Sequence, residues 1–448
     1  MKAWYPPGRV IPIRLIPLLA VTSLVAVCDF APRLALAQSA QSDSVVGRPR
    51  PEYDPLGIRF DDALRVLGRA QVGRKARPTP QSDETMGSFT LNTTMELETI
   101  YDDNILRTKT RQISDGIAKF RPGLALASDW ANHALNLTLG GDIGRYAENE
   151  KENYEDFNAG IGGKIDVDDG KFITLNTSWS RRHEERGTFD DAATPKPTQL
   201  QVYSFSGSYD HDVGDIFSRT SLSADYTDVF DNGTTNNDDR DLWTYSLRQR
   251  FGHEVDEGSQ IFVEGAVNLR DYTATVNDGG TKLGSHGYEG LVGLVWDVSG
   301  VSFLEFGAGY FQQFYNESTF ATSSGPSFRG RFIWNPTGLL TLSGGVARSV
   351  QETAQSNTAS VINTKFSLNL DWEARYNLIV SANAGLQNED AGSTGRIDDT
   401  TTFGLATRWL IGQNWSLRGG LDYTQKSSTT SSSEYSDTRF SLTLTERL

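Results

Sequence analysis

From Phe89 to the end of the chain, apolar side chains fall on every second position for about a dozen residues, a turn follows, and the pattern resumes. Phe89, Leu91, Met95, Leu97 and Tyr101 share one phase. So do Leu135, Leu137, Leu139 and Ile143, then Phe157, Ile161, Ile165 and Val167, and at the end Phe440, Leu442, Leu444 and Leu448. Successive side chains of a strand point to opposite faces, so each segment carries one apolar and one polar face. Eighteen such segments can be drawn: 89–101, 117–128, 134–146, 154–167, 171–182, 200–212, 216–228, 240–252, 259–271, 286–298, 301–314, 326–335, 339–351, 361–373, 377–388, 400–410, 414–425 and 435–446. Each is long enough for a tilted strand to cross a bilayer, which takes roughly 9–11 residues.

The connections alternate in length. Short turns such as Val167-Asp168-Asp169-Gly170, Asp212-Val213-Gly214-Asp215 and Val298-Ser299-Gly300 alternate with polar stretches at 183–199, 229–239, 272–285 and 388–399. A soluble sandwich has no reason to sort its loops this way, whereas short periplasmic turns and long extracellular loops are the asymmetry of a membrane barrel. Tryptophan is sorted as well. Trp130, Trp296, Trp334, Trp372, Trp409 and Trp415 fall at or beside short-turn ends, where a membrane-interface girdle would put them. The expectation is an all-β, transmembrane, antiparallel up-and-down β-barrel of about 18 strands, with 16 as the alternative count. An even count places both termini in the periplasm.

Composition agrees without deciding. Hydrophobic residues make up only 37% of the chain, yet a barrel needs apolar surface only on its outer face. The polar phase carries Glu96, Glu98, Asp142, Arg248, Arg250, Glu264, Glu305, Arg329, Arg331 and Arg408, which are the candidate channel-lining residues. A charge facing lipid near the midplane costs on the order of 2–4 kcal/mol, so this phase should face a wet lumen. Cross-strand pairing that stiffens the wall is the plain reading of any one of them, and a charge field acting on a solute is the functional reading. Arg248 with Arg250, and Arg329 with Arg331, each set two positive charges on one face of one strand. Eighteen tilted strands give a diameter of roughly 35 Å. The lumen should therefore be open, folded over by loops, or occupied by a partner.

The N-terminal region reads differently. Lys2, Arg9 and Arg14 precede an apolar run from Leu15 to Val27, and Ala35-Leu36-Ala37 ends in a small-x-small pattern. This is a secretory signal peptide at 1–37, with a lipoprotein site at Cys28 as the competing reading. Cys28 is the sole cysteine, so cleavage leaves no thiol chemistry. Residues 38–86 form a Pro- and Arg-containing periplasmic arm with a short helical pattern from Asp61 to Gln71, and 87–448 is the barrel.

A formal net charge of −15 with no basic block argues against nucleic acid as a partner. No metal or other cofactor is implied, and no enzyme activity. His133, His183, His211, His253 and His286 lie at turns, loops or strand ends, without ligand or triad spacing. Asp238-Asp239 and Asp398-Asp399 read as solvated loop acids.

Pro51-Glu52-Tyr53-Asp54-Pro55-Leu56-Gly57-Ile58-Arg59, Tyr101-Asp102-Asp103-Asn104-Ile105, Ser128-Asp129-Trp130 and Asn132-His133-Ala134-Leu135 add a resemblance. With these segments the chain resembles an outer-membrane β-barrel porin family, the β-barrel porin 2 type, associated with capsule or exopolysaccharide production. Two features depart from the family pattern: a helical insert precedes the first strand, and Leu448 stands where an aromatic assembly signal is usual. The resemblance implies a bacterial outer-membrane location and insertion into outer-membrane lipid by the barrel-assembly machinery. It further implies a glycan polymer as cargo, received from a periplasmic polysaccharide export protein. A general diffusion porin for small hydrophilic solutes and a structural or adhesive surface barrel are the alternatives.

Overall fold

A sheet immersed in lipid has no water to satisfy an open edge, so it has to close on itself. The computed structural model shows that closure. It describes residues 84–191, 194–232, 236–256, 258–298, 301–351, 353, 355, 358–392 and 394–447. The expected signal peptide at 1–37 and the helix of the arm lie outside the described residues. The strands are β1 (Glu84–Met86), β2 (Phe89–Asp102), β3 (Asp115–Ser128), β4 (Ala134–Tyr146), β5 (Tyr154–Asp168), β6 (Lys171–His183), β7 (Gln199–Val213), β8 (Ile216–Val229), β9 (Leu242–Asp256) and β10 (Ser259–Tyr272). They continue as β11 (Ser285–Val298), β12 (Ser302–Tyr315), β13 (Ser323–Thr337), β14 (Leu340–Gln351), β15 (Val361–Arg375), β16 (Leu378–Ala391), β17 (Arg396–Ile411), β18 (Trp415–Ser428) and β19 (Tyr435–Arg447).

Each of β2 to β19 pairs antiparallel with its neighbours in sequence, and β19 returns to β2 with Leu444 opposite Leu97. The result is a closed 18-strand up-and-down barrel, with β1 as a small hairpin extension on β2. Among the described residues no helix is long and apolar enough to cross a membrane. Gly170, Gly214 and Gly412, in short turns, have φ of +69°, +59° and +66°, which suits a residue without Cβ.

Reach identifies the inside. Arg250 on β9 meets Glu305 on β12 at 2.9 Å although β10 and β11 lie between them. Side chains from strands that far apart converge only on a concave face. The phase of Arg250 and Glu305 is therefore the inner face, and the opposite phase is the outer. Leu97, Leu247, Val263, Val292, Leu386, Leu405 and Leu442 are all exposed on that outer phase, as an apolar belt requires. Trp296, Trp334, Trp372, Trp409 and Trp415 are exposed on the outer phase near the short-turn rim, and Trp130 sits in a turn there with its ring edge-on to Phe89.

Three expectations change. The stretch 388–399 is not a long loop: β16 and β17 stay paired up to Ala391 opposite Arg396. Asp398 is not a solvated loop acid. It is fully buried on the inner face, held by Arg396, by Lys426 at 2.7 Å and by the Ser428 hydroxyl at 2.6 Å. The inner face is also less uniformly polar than its alternation suggests, because Phe262, Leu291, Phe303 and Phe311 are buried on it, Phe262 and Phe303 beneath arginines.

Candidate functional site

Most of the candidate lining residues gather into two clusters at mid-height. On β9 to β13, Glu264 is the centre: one carboxylate oxygen accepts from Arg248 and Arg329, and the other takes Arg250 Nε at 2.7 Å. Its side chain is only 1% exposed. Glu305 takes Arg250 at 2.9 Å and Arg331 at 3.3 Å, while Glu289 stands 3.4 Å from Arg329 and 3.7 Å from Arg248. The guanidinium of Arg250 lies 4.0 Å over the Phe262 ring, and that of Arg331 lies 5.1 Å over Phe303. These rings support the flat cations from below and shield the carboxylates from water.

On β2 to β4 the order is inverted, with one cation holding three anions. Arg121 donates to Glu96 and, at 2.5 Å, to Glu98, and its Nε stands 3.4 Å from Asp142. Asp142 also accepts the Tyr154 hydroxyl at 3.1 Å. The midpoints of the two clusters, β3 and β11, lie eight steps apart on a ring of eighteen, so the clusters occupy nearly opposite walls. Arg408 belongs to neither. It lies near the short-turn rim, in register with Arg418 of β18.

The long-loop rim is not an open mouth. The described residues between β6 and β7, 184–191 and 194–198, form a strap that leaves the wall, and its first part docks on strands around β15, which is nine steps from β6 in either direction. Phe189 at the far end is buried against Val361 and Ala391. Its carbonyl accepts Arg396 at 3.1 Å, and the Arg396 guanidinium covers its ring at 4.0 Å. Lys426 donates to the Gly187 carbonyl at 3.1 Å, and Thr353 to Asp190 at 2.6 Å. Arg186 grips Glu152 through two hydrogen bonds of 2.9 and 2.7 Å. Burial works against the Arg186 charge, but the Glu152 and Asp191 carboxylates more than offset it and hold its pKa above the ordinary arginine value. Gly187 has φ +74°, and a Cβ there would meet Arg107 at 2.7 Å and Tyr435 at 2.8 Å, so the strap bends at the one residue type that fits.

A second element closes in from the side. The ladder between β13 and β14 stops at Phe328 opposite Arg348, although β13 runs on to Ser323 and β14 to Gln351. Pro326 has no N–H to continue it. Arg270, four strands away on β10, instead donates to the Val350 carbonyl at 2.9 Å, and Ser360 meets the Tyr315 hydroxyl at 2.5 Å. Beyond β14, Thr353 and Gln355 touch the strap at Asp190 and at the Phe189 carbonyl.

The sequence reading missed the strap, the apolar floor under the arginines, and a contact at 3.0 Å between His183 Nδ1 and Asp156 at the root of the strap. The parity of Phe262 with Glu264 and of Phe303 with Glu305 was a readable signal for the floor. The Tyr-Asp-Asp-Asn segment has a structural task. Asn104, fully buried, donates to the Thr108 and Ser436 carbonyls at 2.8 Å each, and Arg439 takes Asp102 at 2.9 Å, which sews β2 to β19 where the barrel closes.

Comparison with known proteins gives one family match. The family model described as "Putative beta-barrel porin 2" matches residues 78–448. Among solved structures, the outer membrane protein OpdK from Pseudomonas aeruginosa is similar at 10% identity and TM-score 0.45, over 80% of this chain and 99% of that one. A copper transporter, OprC, is similar at 13% identity and TM-score 0.44, over 78% of this chain and 64% of that one. The FrpB iron transporter from Neisseria meningitidis is similar at 9% identity and TM-score 0.44, over 75% and 62% respectively. No curated protein matches the sequence.

Proposed function

We propose, for a chain that belongs to the "Putative beta-barrel porin 2" family of outer-membrane barrels, that it is a strapped channel for a hydrophilic, weakly charged cargo, with an exported exopolysaccharide as that cargo. The observation that carries this reading is the state of the lumen charges. At mid-height they are spent on one another, three guanidiniums on Glu264 and three carboxylates on Arg121, instead of standing singly in water. Opposite charges side by side offset one another in part, leaving +1 on the first wall and −2 on the second, so the pair acts only weakly on a simple ion. The small polar side chains between them, including Asn136, Asn158, Asn176, Ser381 and Asn383, offer many weak hydrogen bonds. A polyhydroxylated chain can exchange such bonds one at a time as it slides.

In this reading the long-loop rim is extracellular, both termini are periplasmic, and the outer tryptophans form the membrane-interface girdle. A periplasmic polysaccharide export protein hands the glycan polymer to the short-turn rim. The strap favours a second reading, diffusion of small hydrophilic solutes, because it narrows the mouth. Deletion of the gene separates the two. Loss of surface polysaccharide with unchanged uptake of small sugars is the expected result, and normal surface polysaccharide would overturn the export reading. In planar bilayers Phe189→Ala should raise single-channel conductance severalfold, because Phe189 is the strap's buried anchor.

A further inference from the structure

Where the strap leaves the wall, its two roots frame a cavity of about 290 Å³. One root contributes His183 and the other Lys196, Pro197 and Gln199. Glu150, Lys151 and Asn153 close it from the loop before β5, Tyr154 from the start of β5, and Phe230, Asp231 and Asn232 from the loop after β8. A smaller cavity of about 40 Å³ shares Tyr154, His183 and Pro197 and continues inward past Lys119 and Arg439. The two adjoin at those three shared residues.

We propose that the larger cavity is a binding subsite for one or two pyranose units of a neutral glycan. The inference deepens the export reading and rests on it for the source of the glycan.

Size comes first. Small-molecule sites begin at about 300 Å³, so this cavity holds a sugar ring or two and excludes a folded peptide. Charge comes second. The lining carries Glu150 and Asp231 against Lys151 and Lys196, two of each sign, so neither an anion nor a cation is favoured as a class.

Surface chemistry comes third. A pyranose is amphipathic, with C–H faces and hydroxyl edges. The cavity offers the half-exposed Phe230 ring and Pro197 as apolar contact, and the amides of Asn153, Gln199 and Asn232 as combined donors and acceptors. Those amides are held in place. Asn153 Oδ1 accepts the Tyr146 N–H at 2.7 Å, Gln199 Oε1 accepts Arg181 at 2.7 Å, and Asn232 Nδ2 donates to the Lys196 carbonyl at 2.6 Å. The Tyr154 and His183 rings, stacked at 4.0 Å, form a stiff back wall. A bound sugar touches both roots of the strap at once, so its occupancy favours whichever strap position keeps those roots apart.

The test uses the full-length barrel in detergent micelles, with maltohexaose as the probe. Saturation-transfer NMR should show contact with maltohexaose. Phe230→Ala and Asn232→Ala should each weaken binding about tenfold, and Phe230→Trp should restore it. Contact by NMR that survives both Phe230→Ala and Asn232→Ala would overturn the subsite, as would the absence of any maltohexaose signal. Hyaluronan oligosaccharide binding more tightly than maltohexaose would overturn its neutrality. The export reading fails separately: normal surface polysaccharide in a deletion strain, with maltohexaose binding intact, would remove the export role and leave the subsite standing.

Discussion

The two mid-height walls of the lumen solve one problem in inverted ways. On β9 to β13 an anion, Glu264, is ringed by cations, and on β2 to β4 a cation, Arg121, is ringed by anions. The first wall is redundant: four arginines and three glutamates share contacts, and two aromatic rings lie beneath them. The second hangs on one side chain, which is 30% exposed. Redundancy spreads the consequence of a loss, and burial enlarges it. The comparison therefore turns on which of the two matters more.

Glu264→Ala gives the largest expected effect. It leaves Arg248, Arg250 and Arg329 around a vacated, buried position, and removing one partner from such a group costs about 3–5 kcal/mol. Urea unfolding in lipid vesicles should show that loss, and the reversal potential should move toward anion preference. A change under about 1 kcal/mol would mean that redundancy outweighs burial. Arg121→Ala comes next, at about 1–2 kcal/mol, because its site is wetter. Three carboxylates then face one another, so cation preference should rise, most clearly at low salt. Equal shifts of opposite sign in the two variants would show that the walls act as a matched pair. Phe262→Leu is the smallest, about 0.5–1 kcal/mol, through loss of the cation–π contact with Arg250. Phe189→Ala is the control: its effect on conductance should leave the ion preference set by both walls unchanged.

Much of this was readable in the sequence, for a definite reason. A period of two fixes the face of every residue in a strand, so Glu96, Glu98, Arg248, Arg250, Glu264, Glu305, Arg329 and Arg331 could be placed on one surface without knowing their neighbours. Pairing needs register, and register follows from where each strand starts, which alternation locates only to within a few residues. The segment drawn as 240–252 shows the limit, since β9 continues to Asp256, leaving the β8 ladder at His253 and shifting register against β10 between Ser259 and Gln260. Loops are harder still. The docking of Phe189 against Val361 joins residues far apart in the chain, and no local pattern announces it. The expected long loop at 388–399 failed because polarity was read as disorder of pairing, while Asn388 and Asp399 continue the ladder as a polar cross-strand pair at 2.8 Å.

The early stop of the β13–β14 ladder has a mechanical meaning. In an unbroken ladder a displaced strand drags its neighbour through a row of backbone hydrogen bonds. Between Ser323–Ser327 and Ser349–Gln351 that row is missing, and the join is made by side chains such as Arg270 and Tyr315. The wall thus contains an expansion joint. The hairpin tip can tilt through it by exchanging a few side-chain contacts, while the ring of strands below stays shut. Amide hydrogens along this joint should exchange with solvent deuterium well before those of the continuous ladders on either side.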